Sequence, residues 1–187
     1  MIRKNENIFE KTNLTPLSID LLKFLSRNPN KEFYIKEIAQ YTNSSVGGCY
    51  SALIYLYKMD LVTKRKSGRN VYYSINEINP SLRYFKIFVN ILEITPIIKR
   101  IEKNCNKIIL FGSCSTGEDT MESDIDLFVV AENISTVKDK INTKQINQRD
   151  LKPVIVTPHA LLEMKNNDRG FYDEVNKGIV LWRKRNE

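Results

Sequence analysis

Lys107-Ile-Ile-Leu-Phe-Gly-Ser113, ten further residues, and then Asp124-Ile-Asp-Leu-Phe-Val-Val130 form the stretch whose reading decides the fold. The apolar run Ile108–Phe111 has the composition of a buried strand, and Gly112 ends it with the residue that lets backbone approach a ligand closely. Ser113 opens a short polar segment that can start a helix and aim unpaired N–H groups at an anion. Asp124 and Asp126 stand two residues apart at the head of a second β-type run. Side chains alternate along a strand, so both carboxylates are expected on one face, with Ile125 and Leu127 packing on the other. Two neighbouring carboxylates at the mouth of an apolar strand repel unless a cation lies between them. Oxygen donors of this kind suit Mg²⁺, whose shell is usually completed by substrate phosphates.

Gly112-Ser113, the ten-residue spacer and Asp124-x-Asp126 resemble the signature of the DNA polymerase β-like nucleotidyltransferases in their minimal form. Ser123 before the first Asp and Gly117 within the spacer match as well. The resemblance covers about residues 105–182, and its spacing coincides with the strand–turn–strand context it requires. It implies that Asp124 and Asp126 hold Mg²⁺ and serve catalysis, while Gly112 and Ser113 bind the phosphates of an NTP, with ATP the expected one. Catalytic members supply a third carboxylate, commonly three residues before a Thr-Pro such as Thr157-Pro158. Val154 stands there, and Val neither holds a second ion nor draws a proton from an attacking hydroxyl. Asp150 is the remaining candidate, on the same face but roughly 13 Å away along an extended strand. It serves only if the chain bends at Lys152-Pro153. Members also often carry a basic residue where this chain has Thr116, so weakened triphosphate binding is expected.

A chain of 187 residues accommodates two compact domains. No apolar run approaches the roughly 18 residues of a membrane span, and no membrane partner is expected. The start, Met-Ile-Arg-Lys-Asn-Glu-Asn, lacks the apolar core of a signal peptide. Cys49, Cys105 and Cys114 are odd in number and show no metal-ligand spacing, which reads as reduced thiols in a cytoplasmic protein. The net charge of +7 is uneven: residues 1–104 hold 17 Lys/Arg against 9 Asp/Glu, and residues 105–187 hold 12 against 13. The basic excess therefore lies in the first half, which points to a polyanion partner there and to carboxylate chemistry in the other half.

The first dozen residues are polar and expected to be loosely held. Thr15-Pro16 then opens a helix with Leu17, Leu21, Leu22, Phe24 and Leu25 on one face and Asn28-Pro29 as its stop. Phe33-Tyr34 is an extended link, and a second helix covers Ile35–Tyr41. Thr42–Ser45 is a turn that caps a third helix from about Val46 to Met59. Leu61-Val62 begins a strand, Lys64 to Asn70 is a basic turn containing Gly68, and Val71–Ile75 returns. This order resembles a winged helix-turn-helix of transcription regulators over roughly Pro16–Asn79. The third helix would offer Ser44, Ser45 and Tyr50 to the major groove of double-stranded DNA, together with Gly47 and Gly48. Those glycines weaken its first turn, and the reason is either close approach to a nucleic-acid backbone or tight packing on a neighbouring helix. Lys64, Arg65, Lys66 and Arg69 sit in the wing with no acid among them, placed for phosphates.

Pro80 to about Lys103 reads as a helix apolar on more than one face, kinked or split at Pro96. It is either a linker that dimerises the protein or a helix buried within one copy. Beyond Asp126, Ser135–Gln148 is expected to be an amphipathic helix and Val154–Val156 a strand. A helix capped by Thr157-Pro158, a second helix over Gly170–Asn176 and a last strand Gly178–Trp182 follow. The expected class is α+β: residues 1–79 a winged helix-turn-helix, 80–104 a linker or dimerisation helix, and 105–187 a small mixed sheet flanked by helices. Two functions compete. One is a DNA-binding transcription regulator that binds Mg²⁺–NTP; the other is an active transferase that places NMP on a hydroxyl of a protein, such as a toxin partner, or of a small molecule.

Overall fold

The computed structural model describes residues 14–184 and separates by internal packing into two units, residues 1–79 and 80–187. The polar first dozen residues lie outside the described residues. In the first unit, the Thr15 hydroxyl accepts the Ser18 amide at 3.2 Å and Pro16 takes the first helical position, so α1 (Pro16–Ser26) starts there. Leu21, Leu22, Phe24 and Leu25 are its buried face. Phe33–Tyr34 is a short strand, β1, and leads straight into α2 (Ile35–Tyr41). Ser45 caps α3 (Val46–Lys58) by accepting the Gly48 amide at 3.1 Å. The hairpin β2 (Val62–Ser67) and β3 (Asn70–Ile75) completes a sheet in the order β1-β3-β2. Helix, strand, helix, helix and hairpin in this order make a winged helix-turn-helix with β2–β3 as the wing.

The wing differs from expectation in one respect. Lys64, Arg65 and Lys66 belong to β2 itself, and the turn is confined to Gly68, at φ 59°, and Arg69. Cross-strand pairing explains the longer ladder: Lys64 lies opposite Tyr73 and Arg65 opposite Tyr72, pairs that favour continued strand.

In the second unit, α4 (Ser81–Ile101) runs unbroken through Pro96 and ends in a 3₁₀ turn at Glu102–Asn104. The split offered as one alternative does not occur, and Leu92, whose carbonyl Pro96 leaves unpaired, is exposed. The Thr95 hydroxyl also donates to the Ile91 carbonyl at 2.7 Å. Then follow β4 (Lys107–Phe111), the one-turn α5 (Ser113–Thr116), β5 (Ile125–Val130), α6 (Ile134–Ile141), β6 (Gln145–Ile146), β7 (Arg149–Val156), α7 (Pro158–Asn167), α8 (Arg169–Lys177) and β8 (Ile179–Arg183). The sheet order is β6-β7-β5-β4-β8, with β5 and β7 parallel and the other pairs antiparallel. On one face Ile125, Leu127 and Val129 pack with Ile94, Ile97, Ile98 and Ile101 of α4 and Val137 and Ile141 of α6. On the other face Phe128 and Val130 pack with Ile109, Phe111, Val175 and Phe171.

Two expectations are corrected here. The helix predicted over Ser135–Gln148 ends at Ile141, because Asn142 adopts the left-handed conformation at φ 34° and stops it. Asn147 and Gln148, both at positive φ, then form the two-residue turn of the β6–β7 hairpin. The strand predicted over Val154–Val156 starts five residues earlier, at Arg149, and Pro153 is tolerated inside it. β6 pairs only with Arg149 and Asp150, so the missing Pro153 amide breaks no ladder on that side. Among the described residues no helix is long and apolar enough to cross a membrane.

Candidate functional site

The site lies where the end of β4 meets the starts of β5 and β7. Asp126 is the second residue of the central strand β5, opposite Phe111 on one side and Lys152 on the other. Gly112 follows Phe111 with φ 64° and ψ −158°, a region open essentially to glycine alone. A Cβ built on Gly112 would lie 2.6 Å from the Asp126 carboxylate, so bare backbone borders that oxygen. The next turn, α5, is closed by Gly117 in the left-handed conformation, packed on the backbone of Arg83. Asp124 is exposed and Asp126 half-buried. Burial pushes the Asp126 carboxyl above its ordinary range, the charges of Asp124 and Glu174 push it further, and Lys152 pulls it back.

A buried polar network holds the spacer between Gly112-Ser113 and Asp124. Arg149, at the start of β7, donates from Nη1 to Asp119 Oδ2 at 2.9 Å. Its Nη2 donates to Asn90 Oδ1 and Glu93 Oε2 of α4, each at 2.9 Å. Asn90 donates in turn to Asp119 Oδ1 and to the Cys114 carbonyl, both at 3.0 Å, and Lys86 donates to the Asp119 carbonyl. Arg149 also reaches Cys114 Sγ at 3.4 Å, and that thiol donates to the Asp124 carbonyl at 3.3 Å. Side chains of α4 and β7 are thus tied to the backbone of the first aspartate. Among the described residues two cations face two carboxylates, which is how a fold keeps such groups away from water.

The structure brings Gly112, Ser113, Asp124 and Asp126 to one end of the sheet. It does not gather Asp150 with them: among the described residues no three His, Cys, Asp or Glu side chains come together at metal-binding distance. Asp150 instead accepts from Gln145 Nε2 at 2.9 Å, and β7 runs through Lys152-Pro153 without the bend that was required. Val154 lies beside Phe128, two residues deeper than Asp126, and packs in the core. The β7 residue beside Asp126 is Lys152. The charge missing at Thr116 also has a neighbour, since Arg83 Nε donates to the Thr116 carbonyl at 2.6 Å. Lys152, Glu174 and Arg83 are the residues that sequence reading missed. No local pattern marks them; Lys152 becomes legible only once the β5–β7 register is known.

On the winged helix, Tyr50, Lys66 and Arg69 are exposed, as is Ser45, whose hydroxyl is engaged as the α3 cap. Ser44 is half-buried and donates to the Thr42 carbonyl at 3.0 Å. Lys64 Nζ stands 4.1 Å from the Tyr57 ring centroid. Arg65 is taken up by Glu32, with Nε at 2.8 and 2.9 Å from its two oxygens. An acid from outside the wing therefore offsets one of its four positive charges. The two glycines of α3 separate: a Cβ on Gly48 would crowd the capping Ser45 Oγ at 3.1 Å and Leu17 at 3.3 Å, whereas one on Gly47 would meet open space.

The sequence model of the polymerase beta nucleotidyltransferase family matches residues 93–187. The chain belongs to that family. It is 31% identical over 101 residues to a putative protein adenylyltransferase of Methanocaldococcus jannaschii, a match that spans 48% of this chain and 100% of the relative. Among solved structures, the homodimeric winged helix-turn-helix DNA-binding domain of a possible ArsR-family regulator from Mycobacterium bovis superposes with TM-score 0.36 and 21% identity, over 43% of this chain and 70% of that one. The adhesin competence repressor of Streptococcus pyogenes does so with TM-score 0.39 and 18% identity, over 51% and 71%.

The donor set fits one hard divalent ion: two carboxylates from alternate residues of a strand, next to a glycine that leaves space at one of them. Among the described residues no third carboxylate completes a metal cluster with this pair, and Glu174 acts on Asp126 through its charge, so a second ion lacks its ligand. Gly112→Ala is expected to cost about 1–3 kcal/mol through its backbone conformation. It should also displace the Asp126 carboxylate, so a thermal melt and a metal titration should both shift.

Proposed function

We propose that this protein is a DNA-binding regulator whose nucleotidyltransferase domain binds Mg²⁺–NTP, ATP for preference, with little or no turnover. Asp124 and Asp126 hold the metal, and Gly112 and Ser113 receive the phosphates. The observation that supports this reading is the close approach of Gly112 backbone to the Asp126 carboxylate, with no third His, Cys, Asp or Glu completing a metal cluster among the described residues. Calorimetry with Mg²⁺–ATP on the wild type and on Asp124→Asn tests it. Binding that Asp124→Asn leaves unchanged would sink it.

Active transfer of NMP to a hydroxyl is the second reading, with a protein such as a toxin partner as acceptor, or a small molecule. The 31% identity to a putative protein adenylyltransferase, spanning that relative's whole length, favours it. Label appearing on a protein of a cell extract incubated with the chain and radiolabelled ATP, and lost with Asp126→Asn, would establish it.

Double-stranded DNA is the expected partner of the winged helix, read by Tyr50 and the start of α3 and gripped by Lys64, Lys66 and Arg69. Fluorescence anisotropy over a KCl series should show log affinity falling with log salt. Removing Lys64 and Lys66 together should flatten that slope by about 2. A slope that does not change would take these lysines off the DNA. Tyr84, Phe88 and Leu92, on one exposed stripe of α4 and 71%, 57% and 54% accessible, support a homodimer through residues 80–103. The cytoplasm supplies nucleotide, DNA and a reducing environment for Cys49, Cys105 and Cys114, all unbridged and buried.

A further inference from the structure

Lys152 occupies the register position beside Asp126 on the adjacent parallel strand, so the two side chains leave the same face of the sheet about 5 Å apart at their bases. Its Nζ is 4.0 Å from Asp150 Oδ2, and both side chains are about half accessible (55% and 49%). The lysine thus neighbours one aspartate of the metal pair across the sheet and pairs with the acid that the sequence put forward as its third member. Among the described residues no third ligand joins Asp124 and Asp126. A divalent ion placed near Lys152 would meet a fixed positive charge at close range, whereas a phosphate oxygen there would meet a donor.

We propose that Lys152 is a tethered cation standing in for a second metal ion, so that this site takes one divalent ion per nucleotide and offers an ammonium to the triphosphate. The proposal rests on the nucleotide-binding reading above and assigns that site its metal count and its phosphate contact. A surface lysine merely paired with Asp150 would leave both untouched.

The test counts Mn²⁺ bound per chain by equilibrium dialysis and electron paramagnetic resonance, with and without a non-hydrolysable ATP analogue. One ion per bound nucleotide is expected for the wild type and two for Lys152→Asp. Lys152→Met removes the charge while keeping the length. It should tighten Mn²⁺ alone and weaken the analogue, each by about three- to tenfold, because the same charge repels one and attracts the other. Lys152 is exposed, and a thermal melt of each variant confirms that it folds. Two ions on the wild type, a single ion on Lys152→Asp, or unchanged affinities in Lys152→Met would each overturn the proposal. Failure of the wild type to bind Mn²⁺ or nucleotide at all would overturn the underlying reading instead, and this inference with it.

Discussion

Asp119→Asn is expected to cost the second unit about 3–5 kcal/mol, the usual price of leaving buried charge uncompensated. Asp119 is fully buried and faces two cations, Arg149 at 2.9 Å and Lys86 at 3.7 Å, with Glu93 the other carboxylate of the network among the described residues. Neutralising it leaves a surplus positive charge in a space that water does not reach. Trp182, the sole tryptophan, lies in β8, so its fluorescence in a urea titration reports this unit. A midpoint within about 0.5 kcal/mol of wild type would mean that the network is not what holds the spacer. Arg149→Met combined with Asp119→Asn should cost less than the two single changes added together, since each partner is expensive chiefly when the other remains.

Asp126→Asn should reduce Mg²⁺–ATP affinity by about 100-fold or more, beyond the loss seen when a group merely supporting a ligand is changed. The same substitution should make the metal-free protein more stable at neutral pH. Asp126 is held above the ordinary carboxyl range by burial first, then by Asp124 and Glu174, against the pull of Lys152. A carboxyl raised on folding favours the protonated fold. Its contribution is therefore most favourable below the unfolded value, about 4, and is lost as pH rises through the folded value. Asn carries no such charge. Urea midpoints without metal should thus favour Asp126→Asn at about pH 7 and converge with wild type below about pH 4. Equal midpoints at pH 7 would show that the carboxylate is not strained by its neighbours. Opposite signs in binding and stability are what separates a residue kept for a ligand from one kept for the fold.

Much of this architecture could be read along the chain. Thr15-Pro16 and Thr157-Pro158 announced their helices because a cap and a proline act within one turn. Alternation in Ile125–Val130 set Asp126 on the face of Phe128 and Val130 and Ile125 on that of Leu127 and Val129, since strand geometry depends on nothing remote. The failures were where an apolar count resembles a helix but a backbone detail intervenes. Ile146 has helical spacing from Val137 and Ile141, yet Asn142 ends α6 and positive φ at Asn147 and Gln148 turns the chain into a hairpin. The strand expected over Val154–Val156 left out the residues through Pro153, yet a proline costs a strand only where a neighbour needs its amide, and that depends on which strand lies beside it.

Sequence alone determined the winged helix and the family of the second half, because caps, periodicity and a fixed spacing act over a few residues. The parallel register of β5 and β7 was decided only in three dimensions. It sets Lys152 rather than Val154 or Asp150 beside Asp126, while the packing of α8 on β4 brings Glu174 within electrostatic reach and that of α4 on the sheet lets Arg149 meet Asn90 and Asp119. Such partners lie tens of residues apart, and their meeting depends on how strands pair and helices cover them, which no local pattern encodes.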